Sequence, residues 1–147
     1  MASISPERQA LLDDHLKAES EHDLDHLMEG FTADCFNDVA CFPDRFDGPT
    51  RVAERYTAHW KAFPDFTVRI RRIPSADEDC IVTENEWTGT YEGTFQGIPP
   101  TGRKVKVRAI VAWHFQGERL QGETVFFDTG SIARQLGAEF RLTNVDG

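Results

Sequence analysis

Lys104-Val105-Lys106-Val107-Arg108-Ala109-Ile110-Val111-Ala112-Trp113-His114-Phe115 decides how this chain folds. Apolar and polar residues alternate at its start with period two, the mark of a strand with one buried face. The next strand, 120–128, follows a tight Gly117-Glu118 turn. Upstream, 81–90 reads as a strand, and Val68, Ile70 and Ile73 belong to an earlier one. The links are residues 74–79, the Gly/Pro-rich 93–102 and that tight turn, so consecutive strands form an antiparallel meander.

Counting back from the turns sets the register. Asn85 lies opposite Ala109, Trp87 opposite Val107, Glu123 opposite Trp113, Val125 opposite Val111, and Phe127 opposite Ala109. One face then carries Val68, Ile70, Thr83, Asn85, Trp87, Val107, Val111, Trp113, Glu123, Val125 and Phe127. The other carries Arg69, Arg71, Glu84, Glu86, Lys104, Lys106 and Arg108, a basic–acidic–basic ladder that suits an outer surface. The first face is almost wholly apolar. A carboxyl there is costly unless paired or neutralised, which makes Glu123 the most informative residue in the chain. It reads either as a paired or rim residue or as a pocket acid/base.

Before the sheet the period is helical. Ser5-Pro6 opens a helix with Leu11, Leu12 and Leu16 on its buried stripe. Leu24, Leu27, Met28 and Phe31 mark a second, and residues 34–42 a short strand and turn. Gly48-Pro49-Thr50 starts a third helix, with Val52, Tyr56, Trp60 and Phe63 on one face and Pro64 as its stop. Residues 131–136 form a last helical turn. Three helices followed by a bent antiparallel sheet is an α+β layout. The expected organisation is one domain over 1–147, with 1–4 and 138–147 peripheral.

The 147 residues include 25 acidic and 16 basic, a net charge of −9. Such a surface repels phosphate and anionic headgroups, so no nucleic-acid or membrane partner is expected. The longest apolar runs, such as 109–113, are far short of a bilayer span. The N-terminus has no basic segment followed by an apolar one, and a cytoplasmic location is the expectation. Cys35, Cys41 and Cys80 contain no CxxC and read as reduced, mostly buried residues. His22 and His26 have HxxxH spacing but no third ligand, so no metal is expected. His59 reads as a pocket polar group or a helix-edge packing residue. His114 is expected at the exposed outer face.

Gly93-Thr94-Phe95-Gln96-Gly97-Ile98-Pro99-Pro100-Thr101-Gly102-Arg103 resembles the signature loop of the SnoaL-like polyketide cyclases, part of the NTF2-like superfamily. Phe63-Pro64-Asp65, Asp128 and Ala133-Arg134-Gln135-Leu136-Gly137 extend the resemblance. It implies a cone-shaped α+β barrel, three helices covering a curved antiparallel sheet, with an apolar pocket inside. It also implies metal-free, cofactor-free acid/base chemistry, such as intramolecular aldol cyclisation, and a homodimer or higher homo-oligomer. The family's acid/base Asp falls on Val125 here, its accompanying His on Glu123, a second His on Val111 and a Gln on Ala109. Asn37 is retained, followed by Asp38, and Asp128 is retained at a position that reads as structural.

Chemistry here therefore needs a rearranged set. Glu123, Asn37 and His59 are the catalytic candidates. Tyr56, Trp60, Phe63, Asn85, Trp87, Val111, Trp113, Val125 and Phe127 are the candidates to contact a small hydrophobic substrate. Two functions compete: a cofactor-independent cyclase or isomerase-type enzyme, and a non-catalytic binder of small apolar molecules. Epoxide opening, which in this superfamily uses an Asp–Arg–Asp arrangement, is disfavoured because no inward Arg is evident.

Overall fold

The computed structural model describes residues 4–77, 79–95 and 97–137. Helix α1 (Pro6–Glu21) starts where the Ser5 hydroxyl accepts the Arg8 N–H at 3.2 Å. It ends at His22, whose left-handed backbone (φ 59°) turns the chain into α2 (Leu24–Glu29). Strands β1 (Phe31–Val39) and β2 (Phe46–Asp47) lead to α3 (Gly48–Ala62). The long strands follow: β3 (Thr67–Ala76), β4 (Cys80–Thr90), β5 (Lys104–Gln116) and β6 (Arg119–Phe127). Helix α4 (Thr129–Leu136) closes the described chain, with the Asp128 carboxylate accepting the Ser131 N–H at its start.

The six strands form one open, curved sheet in the order β2-β1-β6-β5-β4-β3. The meander from β3 to β6 is antiparallel, and all five cross-strand pairs counted from the turns are present. Strand β1 departs from the antiparallel expectation, because it lies parallel to β6 and sets Asn37 beside Glu123. Phe31 belongs to β1 and not to the second helix: Gly30 ends α2 and the Leu120 N–H bonds the Gly30 carbonyl. Strand β6 stops pairing at Phe127–Ala109. Beyond it the Gln135 side chain takes over, accepting from the Lys106 N–H at 2.8 Å and donating to its carbonyl at 3.0 Å.

Strand β5 alternates buried and accessible residues for most of its length, with Val105, Val107, Ala109, Val111 and Trp113 facing in. Helices α1 and α3 cover the inner face and join its residues in one apolar core. On the outer face Glu84 is buried under its own salt bridges. Arg71 and Arg108 donate to Oε1 at 2.8 and 2.6 Å, and Arg72 reaches Oε2. His114 is half-buried rather than exposed, because its Nε2 meets the Thr124 hydroxyl at 3.0 Å. Of the cysteines only Cys35 is buried; Cys41 follows the end of β1 and is exposed, and Cys80 starts β4 and is half-buried. Residues 1–3 and 138–147 lie outside the described residues, whereas Ile4 packs on the core.

Two predictions concern stability. A Cβ at Gly93 would collide with the Lys61 carbonyl oxygen and press on the Lys61–Ala62 backbone. Gly93→Ala should cost about 1–3 kcal/mol in denaturant unfolding. The arginines around Glu84, Arg72 foremost, lower its pKa from 4.5 to about 2. The folded state therefore gains from this carboxylate above pH 4.5 and loses that gain as the pH falls towards 2. The stability gap between wild type and Glu84→Gln should narrow over that window in urea titrations at stepped pH.

Candidate active site

The inner face of the sheet, α1 and α3 enclose a cavity of about 500 Å³. Trp87, Ala109, Val111, Trp113 and Val125 form its sheet wall; Phe66, Val68 and Phe127 continue it. Arg55, Ala58 and His59 come from α3, and Glu19 from α1. The exposed lining residues Glu54, Ala58 and Thr94 mark the mouth. The signature loop shapes that mouth. The Tyr91 hydroxyl accepts the Phe95 N–H at 3.1 Å and donates to the Ile98 carbonyl, which sets Thr94 and Phe95 on the cavity wall.

Glu123 is 4% exposed and lines the cavity. The Asn37 amide and the Tyr56 hydroxyl both donate to its Oε1 through short contacts. Among the described residues nothing donates to Oε2. Two donors on one oxygen fix the carboxylate plane and leave the second oxygen for a ligand. Behind this pair, His15 Nε2 lies 3.4 Å from the Tyr56 hydroxyl and 3.9 Å from Glu19 Oε2. Burial lowers the pKa of His15, with the Glu123 charge opposing. Burial raises that of Tyr56 well above its usual value, and the Glu123 charge adds to it, so the phenol stays a donor.

Glu19 is the second cavity carboxyl. Burial first, and then the Glu123 charge, push its pKa up to about 8, with Arg55 opposing. Burial thus keeps Glu19 protonated near neutral pH. His59 touches Phe63, Phe66, Trp87 and Phe95 edge-on or tilted. Burial in that cage, then the Arg55 charge, drop its pKa well below the imidazole norm, so it is neutral. Asn85 completes the polar set. Trp113 Nε1 donates to the Thr83 hydroxyl at 2.8 Å, which donates to Asn85 Oδ1 at 2.7 Å. Asn85 thus lines the cavity with its oxygen engaged by Thr83.

Glu123, His59, Asn85, Trp87, Val111, Trp113, Val125 and Phe127 line the cavity. Asn37 is fully buried behind Glu123. Tyr56, Trp60 and Phe63, expected to contact substrate, are absent from the wall: they fill the space between α3 and its neighbours. Trp60 stacks on His22 at 4.9 Å, and Phe63 on Tyr91 at 5.6 Å. The His22–His26 spacing straddles two helices, and His26 pairs instead with Asp14 at 2.7 Å. Among the described residues no cluster of three or more His, Cys, Asp or Glu could hold a metal ion. Asp38 pairs with Thr124 in the sheet, and Asp128 caps α4.

Two cavity groups, Glu19 and Arg55, and His15 behind the wall escaped the sequence reading. His15 and Glu19 continue the Leu12–Leu16 stripe at helical spacing, so extending that stripe by one turn would have found both. Arg55 corrects the expectation of no inward arginine: it lines the cavity one turn before His59. No hydrogen bond or ion pair among the described residues links it to Glu19 or Glu123, so the three do not form a connected triad.

A family model, SnoaL-like polyketide cyclase, matches residues 9–136. No curated protein matches the chain. Among solved structures, a proposed polyketide cyclase from Acidithiobacillus ferrooxidans is 25% identical, with a TM-score of 0.76 over 92% of this chain and 98% of that one. A proposed SnoaL-like polyketide cyclase from Jannaschia sp. CCS1 has a TM-score of 0.83 at 16% identity, covering 95% and 100%. A Catenulispora acidiphila protein with a ketosteroid isomerase-like fold, solved with trimethylamine, has a TM-score of 0.74 at 16% identity, covering 88% and 93%. The fold is NTF2-like, and the chain belongs to the SnoaL-like polyketide cyclase family.

Proposed function

We propose that this protein is a cofactor-independent cyclase that closes a ring on a hydrophobic carbonyl compound by intramolecular aldol chemistry. The observation that carries this reading is the Glu123 carboxylate on an apolar cavity wall. One of its oxygens is held by Asn37 and Tyr56, and the other has no donor among the described residues.

In this reading Glu123 Oε2 removes a proton from the carbon next to the substrate carbonyl. The electron pair moves onto the carbonyl oxygen, and the Asn85 amide donates to the developing enolate. The enolate carbon attacks a second carbonyl of the same molecule, forming the ring C–C bond. The resulting alkoxide takes its proton from Glu19, the carboxyl that stays neutral up to about pH 8. Proton transfer from Glu123 back to Glu19, with Tyr56 and His15 between them, restores the starting state. His59, neutral and caged in aromatic rings, serves as a wall and positions the substrate.

One observation favours the alternative, a non-catalytic binder: Val111 and Val125 face each other where the family places proton-transfer groups. Hydrogen exchange separates the two. With 2-tetralone as the probe, proton NMR in D2O should show enzyme-catalysed exchange of the α-protons. Glu123→Gln should slow this by about 10²–10⁴-fold, the usual worth of a general base. Absence of exchange by the wild type would favour the binder, and full exchange by Glu123→Gln would remove Glu123 from the role.

Glu19 gives a pH signature. Above about pH 8 it ionises beside Glu123, so the exchange rate should fall through that region, and Glu19→Gln should abolish this alkaline limb. The same titration reaches stability. The folded chain holds a proton on Glu19 that the unfolded chain loses near pH 4.5, so stability declines as pH rises from 4.5 through about 8. Glu19→Gln should flatten that decline in melts at stepped pH.

A further inference from the structure

Arg55 is the one Lys or Arg on the cavity wall among the described residues, and the chemistry above gives it no task. It is half-buried, with its guanidinium carbon over the Tyr56 ring, 5.0 Å from the centroid. No carboxylate among the described residues lies within 4.0 Å of it. The nearest acid in the chain, Glu54, sits instead 3.8 Å from Arg51. On the outer face, by contrast, arginines are paired: Glu84 alone engages three, and Arg69 holds Glu86 at 2.9 Å. A partly desolvated guanidinium without an anion is costly. Lying over a ring does not consume its N–H groups, which form a planar fork matched to a carboxylate. The charge also acts across the ligand space, since Arg55 opposes the upward shifts of Glu19 and Tyr56 and lowers His59.

We propose that Arg55 anchors a carboxylate on the substrate, so that the cavity selects hydrophobic carbonyl acids over their neutral counterparts. This rests on the reading of the cavity as a substrate site and adds the substrate's charge class to it. Arg55 stands beside the mouth residues Glu54 and Ala58 on α3, whereas Glu123 is on the sheet wall. A ligand held by its carboxylate at Arg55 extends its apolar body along Val111, Trp87 and Val125 towards Glu123. The carboxylate takes no part in bond making; it sets which carbon faces Glu123 Oε2.

The test is a binding comparison on the full chain by titration calorimetry, with 2-naphthoate and 2-naphthamide as matched probes. The carboxylate should bind about tenfold or more tightly than the amide in the wild type, the range of a hydrogen-bonded charge pair. Arg55→Met should erase the preference while amide affinity stays within about twofold, which shows that the cavity is intact. Arg55→Lys should keep part of it. Glu123→Gln should keep the preference, which separates this proposal from the fate of the acid/base reading. Equal affinities in the wild type, a carboxylate that does not bind, or a preference that survives Arg55→Met would overturn it.

Discussion

A carboxylate on an apolar wall must find donors inside the protein, and the placement of Glu123 organises much of this structure around that need. An unpaired buried charge costs several kcal/mol at least, so the donors cannot be incidental. They come from distant parts of the chain. Asn37 is delivered by β1, whose parallel pairing with β6 sets the two residues side by side. Tyr56 is delivered by α3. His15, on α1, backs the phenol and holds it between two polar groups. Parallel insertion of β1, packing of α3 and packing of α1 thus converge on one oxygen atom.

The same burial that makes Glu123 demanding sets the state of its neighbour. Among the described residues Glu19 has no comparable set of donors; His15 Nε2 lies 3.9 Å from its Oε2. Desolvation then dominates, and the existing charge on Glu123 makes a second one costlier still. Donor supply thus sets the two cavity carboxyls apart: Asn37 and Tyr56 hold Glu123, whereas burial keeps Glu19 protonated near neutral pH. Arg55 tempers both effects from across the cavity, which keeps Glu19 within reach of titration near pH 8.

The sheet was legible because its register is anchored by turns. Once the Gly117 turn and the centre of the 93–102 loop are placed, period two carries Glu123, Val125 and Asn85 to the inner face without further information. Asn37 was legible as a catalytic companion of Glu123 and donates to it, whereas Tyr56, read as a substrate contact, supplies the second donor. The parallel β1–β6 pair was not legible, since its partners are 86 residues apart and no turn joins them. The α2–β1 boundary was also obscure: Phe31 satisfies a helical period as readily as a strand, and Gly30 settles it only through the Leu120 hydrogen bond. On α1 the leucines drew the stripe. His15 and Glu19 read as its polar edge until a cavity beside them gave that edge a purpose.

On the resemblance drawn from the sequence the family's carboxyl position falls on Val125, and Glu123 lies two residues earlier on the same strand. A step of two preserves the face and moves the group by roughly 6–7 Å. The direction matters. Strand β5 runs from the 93–102 loop, at the cavity mouth, to the Gly117 turn, so the Trp113–Glu123 pair lies farther from the mouth than Val111–Val125. Glu123 thus lies at the level where Asn37 and Tyr56 can reach it. Val111 and Val125 line the apolar stretch between the mouth and Glu123. A carboxyl held by donors at the deep end and a dry wall before it follow from one feature, the period-two placement of Glu123 and Val125 on the same face of β6.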